Sequence, residues 1–388
     1  MALRLKPGRH RVLEGCPWIF RGELLYHEPP ADPLVDVLDA DGRMVGRGLY
    51  SPTSAIAVRM LTFGRETVDL DGLVLRRIES AVAARVGLSS ARTGLRLVNA
   101  EADGLPGLVV DRYGPMLVVE VSFHPMAAML PKVVDALGQL PGVRGVFERG
   151  NLSVRRHEAL PLEDRLLWGE LVNPVTVEEY GISYEVDLVG GQKTGHYLDQ
   201  AENRVAVASY AAGRTVLDVF AHTGGFGLHA LRGGARWVTA VDSESGALDR
   251  AQANALRNGF QDRLRVEVAN AFDWLRKTSR DASPYDLVVL DPPAFTKSRA
   301  AVKGALRGYK EINLRAARLL PPGGLLVTCS CSYHVDLETF IAVVGSALHD
   351  AHRTARLIEV RGQPVDHGSH PLLPESRYLK CLIFEMTT

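Results

Sequence analysis

The second half of this 388-residue chain alternates apolar strand segments with helical ones, and that alternation restricts the fold more than any other feature. From about residue 190 the order is TVLDVFA, a helix after TGGFG, WVTAVD, SGALDRAQANALRNG, RLRVEVANAF, YDLVVLDPPAF, YKEINLRAARLL and GLLVTCSCS. Strands that alternate with helices build right-handed βαβ units and a mostly parallel sheet. The segment is therefore read as an α/β, Rossmann-like domain. Ligands of such sheets bind beyond the carboxyl ends of the strands. The residues just after each strand are the ones to read for chemistry.

Residues 1 to about 70 differ in texture. VDVLDADGRMVGRGLY reads as a hairpin around Asp41-Gly42, SAIAVRML reads as another strand, and no strong helical period appears. A small β-barrel is expected there. LDGLVLRRIESAVAARVGL then has helical spacing, GLPGLVVDRYG and PMLVVEVSF read as strands, and PMAAMLPKVVDALGQL reads as a helix that Pro131 interrupts. GVRGVFERG and LVNPVTVEEYGISYEVDLVGG return to strands, so the middle of the chain reads as a separate α+β module.

Composition narrows the partners. Lys+Arg and Asp+Glu are both 45, so no global positive field exists and nucleic-acid binding must use a local patch. No apolar run approaches the ~20 residues of a membrane span. MALRLKPGRHRVLEG has charge but no apolar stretch behind it, and is not read as a secretory signal. Four cysteines (Cys16, Cys329, Cys331 and Cys381) are too few for a disulfide framework. A reducing cytoplasm is the natural setting.

The first strand of the α/β segment runs into Asp218-Val-Phe220-Ala221-His-Thr223-Gly224-Gly225-Phe-Gly227. Its glycines let backbone N–H groups approach a ligand at a helix N-terminus. The spacing is neither G-x-G-x-x-G nor a P-loop, which disfavours a pyrophosphate and a dehydrogenase. The second strand ends in Asp242-Ser243, a carboxylate placed to accept ribose hydroxyls. The third ends in Asn270-Ala271-Phe272, read as an amide and a backbone N–H for an adenine edge. Together with Asp291 these suit a nucleoside with a zwitterionic, phosphate-free tail, S-adenosylmethionine.

The fourth strand ends in Asp291-Pro292-Pro293-Ala294-Phe295. Proline cannot continue a ladder and fixes φ, so the turn is rigid and displays Asp291. Such turns hold nucleobase amines, with the aromatic available to stack. The fifth strand ends in Thr328-Cys329-Ser330-Cys331-Ser332. Cys329 and Cys331 share one side-chain parity, and Cys331 lies nearer the cleft. Three readings stand: small buried hydrophobes, metal ligands, which lack a matching Cys/His pair at zinc spacing, or a nucleophile. Carbon 5 of cytosine needs a thiolate on carbon 6 before it attacks an electrophilic methyl, whereas nitrogen methylation needs no cysteine. Cys331 thus separates the two chemistries.

These residues resemble the large-subunit ribosomal RNA cytosine-C5 methyltransferase I family over essentially the whole chain. The matching stretches include GCPWIFRGEL, GRGLYSP, RLVNAEADGLPGLVVDRYG, FERGNLSVR, GQKTGHYLDQ, DVFAHTGGFG, VLDPPAFTKS, LRGYKEINLRA, TCSCS and HPLLPESRYLK. The resemblance implies a PUA-like RNA-binding barrel (1–70), a central α+β linking domain (71–178) and a class I methyltransferase domain (179–388). It implies S-adenosylmethionine as donor and ribosomal RNA, free or in a large-subunit precursor, as substrate. The family's catalytic cysteine falls on Cys331, with Asp291 orienting the base. Members of the family can dimerise, so a homodimer is compatible with it, although no heptad or interface stripe marks one here.

Two departures stand out: Cys16 where the family usually has His before Pro-Trp, and Ala294 where it usually has Lys. In GQKTGHYLDQ, Lys193 or Thr194 is read as reaching the methionine end of the donor, with Asp199 bracing the loop. Candidate phosphate contacts are Arg4, Lys6, Arg9 and Arg11 in the barrel, Arg155 and Arg156 in the middle module, and Arg307 and Lys310 in a Gly-flanked loop after Asp-Pro-Pro. Two other functions compete. One is methylation of an exocyclic amine, guanine N2 or adenine N6, through the Asp-Pro-Pro turn. The other is a non-catalytic RNA-binding assembly factor.

Overall fold

The computed structural model describes residues 1–26, 28–279, 285–296 and 298–388. They form two compact units. The first comprises Met1–Glu178, Val186–Leu198 and Val365–Ser376; the second comprises Glu179–Glu185, Asp199–Pro364 and Arg377–Thr388. No helix among the described residues is long and apolar enough to cross a membrane.

In the first unit, a five-stranded sheet has the order Ala2–Arg4, Leu34–Leu38, Met44–Tyr50, Ile56–Phe63, Trp18–Phe20. Alternation of apolar and polar residues buries one side of it, with Leu3, Ile19, Val35, Val37 and Val58 in the core. The hairpin at Asp41-Gly42 turns where Gly42 takes φ +86°, a conformation without penalty for glycine. A second sheet has the order Arg165–Gly169, Gly145–Glu148, Met116–Val121, Leu108–Tyr113, Gly94–Asn99. The helices Leu70–Arg85 and Leu130–Gly138 pack with it through Val74, Ile78, Val133 and Leu137. The helical stretch breaks at Met129, with Pro131 in the first turn of the new helix, where its missing N–H costs nothing. Val365–Ser376 joins this unit through Asp366, whose buried carboxylate pairs with buried Arg92 at 2.9 Å.

Arg155 is a correction to the sequence reading. It is 2% exposed and donates to Glu148 at 2.7 Å, while the same carboxylate accepts from Arg165 at 2.7 Å. A guanidinium committed inside the module does not reach a phosphate; its neighbour Arg156 is the exposed one.

The second unit holds a seven-stranded sheet in the order Leu264–Val268, Trp237–Asp242, Thr215–Val219, Leu287–Leu290, Leu325–Ser330, Lys380–Met386, Ala355–Arg361. The first five strands are parallel, Lys380–Met386 runs antiparallel to Leu325–Ser330, and Ala355–Arg361 runs antiparallel to Lys380–Met386 and so in the direction of the first five. Every residue of Leu287–Leu290 and Leu325–Ser330 is buried, as expected for central strands covered on both faces. The helix Val302–Arg318 buries Tyr309, Ile312 and Ala316 in the same core as Leu290, Leu326 and Phe340.

Removing Arg155 takes the buried partner of the Glu148 carboxylate and leaves it only the half-exposed Arg165. Arg155→Met is expected to lower the stability of the first unit by about 1.5–3 kcal/mol in urea unfolding. An unchanged midpoint would contradict the buried pairing.

Candidate active site

The loop after Thr215–Val219 is shaped by left-handed backbone. Phe220, His222 and Gly224 have φ of 65°, 49° and 84°. Two of the three are not glycine, and such strain collects at functional turns when the surroundings hold it. Here they do. The Phe220 and Ala221 N–H groups donate to the Val241 carbonyl, and the Gly224 N–H donates to the Ala221 carbonyl. The helix Gly225–Arg232 then starts so close to its supports that a Cβ on Gly225 would stand 2.6 Å from Arg204 Nε. Arg204 is itself locked by the buried Glu179 carboxylate at 2.8 Å, which also meets His229 at 3.0 Å. Thr223 and Ala221 are buried within the loop.

Asp218 lies beneath this turn. Its Oδ2 accepts the Gly227 N–H at 2.8 Å, while Oδ1 is buried without a hydrogen-bond partner. Burial pushes the carboxyl up to about 7, against which the Gly227 contact works.

At the next strand end, Asp242 Oδ2 accepts the His222 N–H at 2.9 Å and Oδ1 accepts the Glu244 N–H at 3.0 Å. These bonds fix the carboxylate and leave lone pairs for further donors. Ser243 beside it is exposed. At the third strand end, Asn270 caps the helix Ala271–Thr278: its side-chain oxygen accepts from the Phe272 and Asp273 N–H groups at 3.0 and 3.3 Å. The cap uses the Asn270 side-chain oxygen and the Phe272 and Asp273 N–H groups, and leaves the Asn270 amide nitrogen outside it.

Asp291 follows Leu287–Leu290 and is half-buried. Gln200 Nε2 donates to its Oδ1 at 2.9 Å. Gln200 Oε1 accepts from Asn203 at 2.6 Å, and Asn203 Oδ1 accepts from Arg361 at 3.1 Å. This chain of amides fixes the rotamer of Asp291. The ring of Phe295 is held among Tyr309, Phe272 and Phe220 at centroid distances of 4.6, 5.8 and 6.5 Å. Lys297 of this motif lies outside the described residues.

Cys331 lies one residue beyond Leu325–Ser330 and is partly exposed, whereas Cys16, Cys329 and Cys381 are buried. Cys329 faces Cys381 across the antiparallel pair, and burial pushes its thiol well above the ordinary value. Both flanks of Cys331 are pinned: the Tyr309 hydroxyl meets Ser330 Oγ at 3.0 Å and Ser332 Oγ at 2.8 Å. Tyr309 is buried.

Asp218, Asp242, Asn270, Asp291 and Cys331 therefore share the carboxyl rim of one sheet. Lys193 and Thr194 belong to the first unit. There the Lys193 ammonium lies 4.3 Å from the Tyr197 ring centroid, and the Thr194 hydroxyl is buried between Tyr113 and Asp111, both at 2.7 Å. Asp199, in the second unit, accepts from the Tyr378 hydroxyl at 2.8 Å. The barrel cations are all engaged: Arg4 with the Ala40 carbonyl, Lys6 with the Gly22 carbonyl, Arg9 with Glu14 and Arg11 with Glu375.

Arg307 and Lys310 are not in a loop. Both lie in the helix Val302–Arg318, where Lys310 pairs with Asp350 at 2.7 Å and Arg307 is exposed. The glycine that resembled a loop signal, Gly308, sits under Phe295, and a Cβ there would come within 3.1 Å of the ring. It serves close packing within a helix.

Comparison with known proteins agrees with this geometry. A family described as S-adenosylmethionine-dependent methyltransferase matches residues 108–359, and a PUA-like domain matches residues 3–63. The chain is 40% identical over 98% of both sequences to "Ribosomal RNA large subunit methyltransferase I" from Shewanella denitrificans, and likewise to the protein of that name from Aeromonas hydrophila. The chain belongs to the ribosomal RNA large subunit methyltransferase I family. A crystal structure of SMU.776 complexed with SAH shares the fold, with a TM-score of 0.86 at 20% identity, covering 99% of this chain and all of that one.

As a member of this family the chain uses S-adenosylmethionine. The rim fits it. Asp218, Asp242 and Asp291 give the rim three carboxyl groups suited to a cationic ligand, and Asp218 Oδ1 is a buried acceptor lacking a donor. The sulfonium centre supplies an electrophilic methyl.

Asp218 ionises near pH 4 in an unfolded chain but at about 7 in the fold. Between those values the folded protein holds the extra proton, so stability falls as pH rises from about 4 to about 7. Without donor, Asp218→Asn is expected to show a shallower fall across that window by urea midpoints. Glu120, also pushed up to about 7 by burial, contributes the same sign in both proteins. Identical slopes would contradict a buried, protonatable Asp218.

Proposed function

We propose that this chain methylates carbon 5 of a cytosine in large-subunit ribosomal RNA through a covalent bond to Cys331. The observation that carries this reading is the exposure pattern of the thiols. The one cysteine in the family's SCS motif position is partly open at the strand-end rim, while the other three are buried.

The neighbouring strands place Asp291 on the same rim, since Leu290 pairs with Thr328 in parallel register. In the proposed reaction the Cys331 thiolate bonds to carbon 6 of the base, and the pair freed from the 5,6 double bond makes carbon 5 nucleophilic. Once carbon 5 carries the methyl group, a base takes its proton. The electron pair of that C–H bond re-forms the double bond, and the Cys331 thiolate leaves. Asp291, held by Gln200, orients the N3/N4 edge of the ring. The cysteine divides one difficult substitution into two easier steps.

Asp218, Asp242, Asn270 and the loop Phe220–Gly225 hold the donor in this reading. Arg307, exposed on the helix after the Asp-Pro-Pro turn, is a phosphate contact for the RNA. Four free cysteines accord with a reducing cytoplasm.

Cys331→Ala is expected to abolish formation of 5-methylcytosine in ribosomal RNA while binding the donor as the parent does. Nucleoside mass spectrometry and calorimetry read the two quantities. Wild-type turnover by the variant would overturn the covalent role. The appearance of N2-methylguanine or N6-methyladenine instead would overturn the base and assign the Asp-Pro-Pro turn to amine methylation.

A further inference from the structure

Lys380 opens the antiparallel strand Lys380–Met386 and stands directly opposite Ser330. The side chain is 6% exposed. Its Nζ donates to the carbonyls of Ser332 and Tyr378, each at 2.8 Å. Among the described residues no carboxylate lies within 4.0 Å of that nitrogen. A buried ammonium held only by carbonyls is costly, because neutral dipoles replace its lost hydration incompletely. Proteins keep such groups mainly where their charge has a use.

The charge has a partner here. Ser332 follows Cys331 directly, so the ammonium is tied to the backbone beside the thiol. Two ionisable groups act on it electrostatically, Cys331 and Asp336. Asp336 is already committed: it caps the helix Leu337–Asp350 by accepting the Thr339 N–H at 2.8 Å. The Tyr309 hydroxyl, which pins Ser330 and Ser332 on either side of Cys331, is kept neutral by burial. That leaves the Cys331 sulfur as the position where negative charge next to Lys380 would be stabilised most.

We infer that Lys380 is a positioning residue that holds Cys331 as the thiolate and fixes the peptide beside it. The inference rests on the reading of Cys331 as the nucleophile. Burial lowers the Lys380 ammonium to about 8, with Cys331 and Asp336 opposing the shift, so at neutral pH it remains mostly charged. In the reaction the ammonium keeps its proton throughout. It faces the thiolate before the sulfur–carbon bond forms and again after that bond breaks, so no proton is exchanged with the base that takes the carbon-5 hydrogen.

The primary readout is made without RNA or donor. The rate at which iodoacetamide alkylates Cys331 in the folded protein is followed against pH by peptide mass spectrometry; the other three thiols are buried. Lys380→Met is expected to slow alkylation about tenfold below neutral pH and to move the apparent thiol pKa up by about one unit. Lys380→Gln, which keeps a donor but loses the charge, should match it. Lys380→Arg, which keeps the charge, should stay near the wild-type rate. Alkylation by both neutral variants within about twofold of wild type, with donor binding intact, would overturn the inference, as would an equal loss in Lys380→Arg. A shifted thiol pKa in an enzyme that makes no 5-methylcytosine would leave the ion pair standing and remove the cytosine reading instead.

Discussion

The pairing of one buried strand, Leu325–Ser330, with a parallel neighbour on one side and an antiparallel neighbour on the other governs the chemistry of this fold. A parallel strand delivers its carboxyl end to the rim, and so Leu287–Leu290 presents Asp291 there. An antiparallel strand delivers its first residue to the same rim, and so Lys380 arrives opposite Ser330. The residues at sequence positions 291, 331 and 380 come to one rim because the hydrogen-bond ladders fix the register of their strands.

The rim is kept rigid from below and from the side. Tyr309 reaches up from the helix Val302–Arg318 and ties Ser330 to Ser332 around the cysteine. The Arg361–Asn203–Gln200 chain fixes Asp291 from the opposite flank. The Glu179–Arg204–His229 cluster supports the start of the helix at Gly225. The Tyr309 and Glu179 networks are buried and the Asn203–Gln200 link is too, and buried polar groups are strongly directional and costly to leave unmet. Preorganised first contacts supported by a second layer are what a transfer between two bound ligands requires.

Much of this was legible in the chain. The alternation of WVTAVD, RLRVEVANAF and YDLVVLDPPAF with helical segments gave the parallel sheet, and the residues after those strands gave Asp242, Asn270 and Asp291. The hairpin at Asp41-Gly42 and the break near Pro131 followed from turn and proline chemistry. Local signals were less reliable where a glycine had a tertiary reason. Gly304 and Gly308 read as a loop, yet a helix runs through both, and Phe295 packs where a side chain at Gly308 would sit. Arg155 read as a surface cation, and only the burial of Glu148 shows why it faces inward.

Sequence by itself determined the fold class, the family, the donor and the identity of the strand-end residues, because periodicity and turn chemistry are local properties of neighbouring residues. The tertiary structure alone decided that Cys331 is partly open while Cys329 is sealed against Cys381, that Gln200 holds Asp291, and that a lysine 49 residues beyond Cys331 donates to the carbonyl of the residue following it. Burial and cross-strand register depend on residues far apart in sequence. No local pattern encodes which distant side chain will remove water from a charge or place a counter-charge next to it.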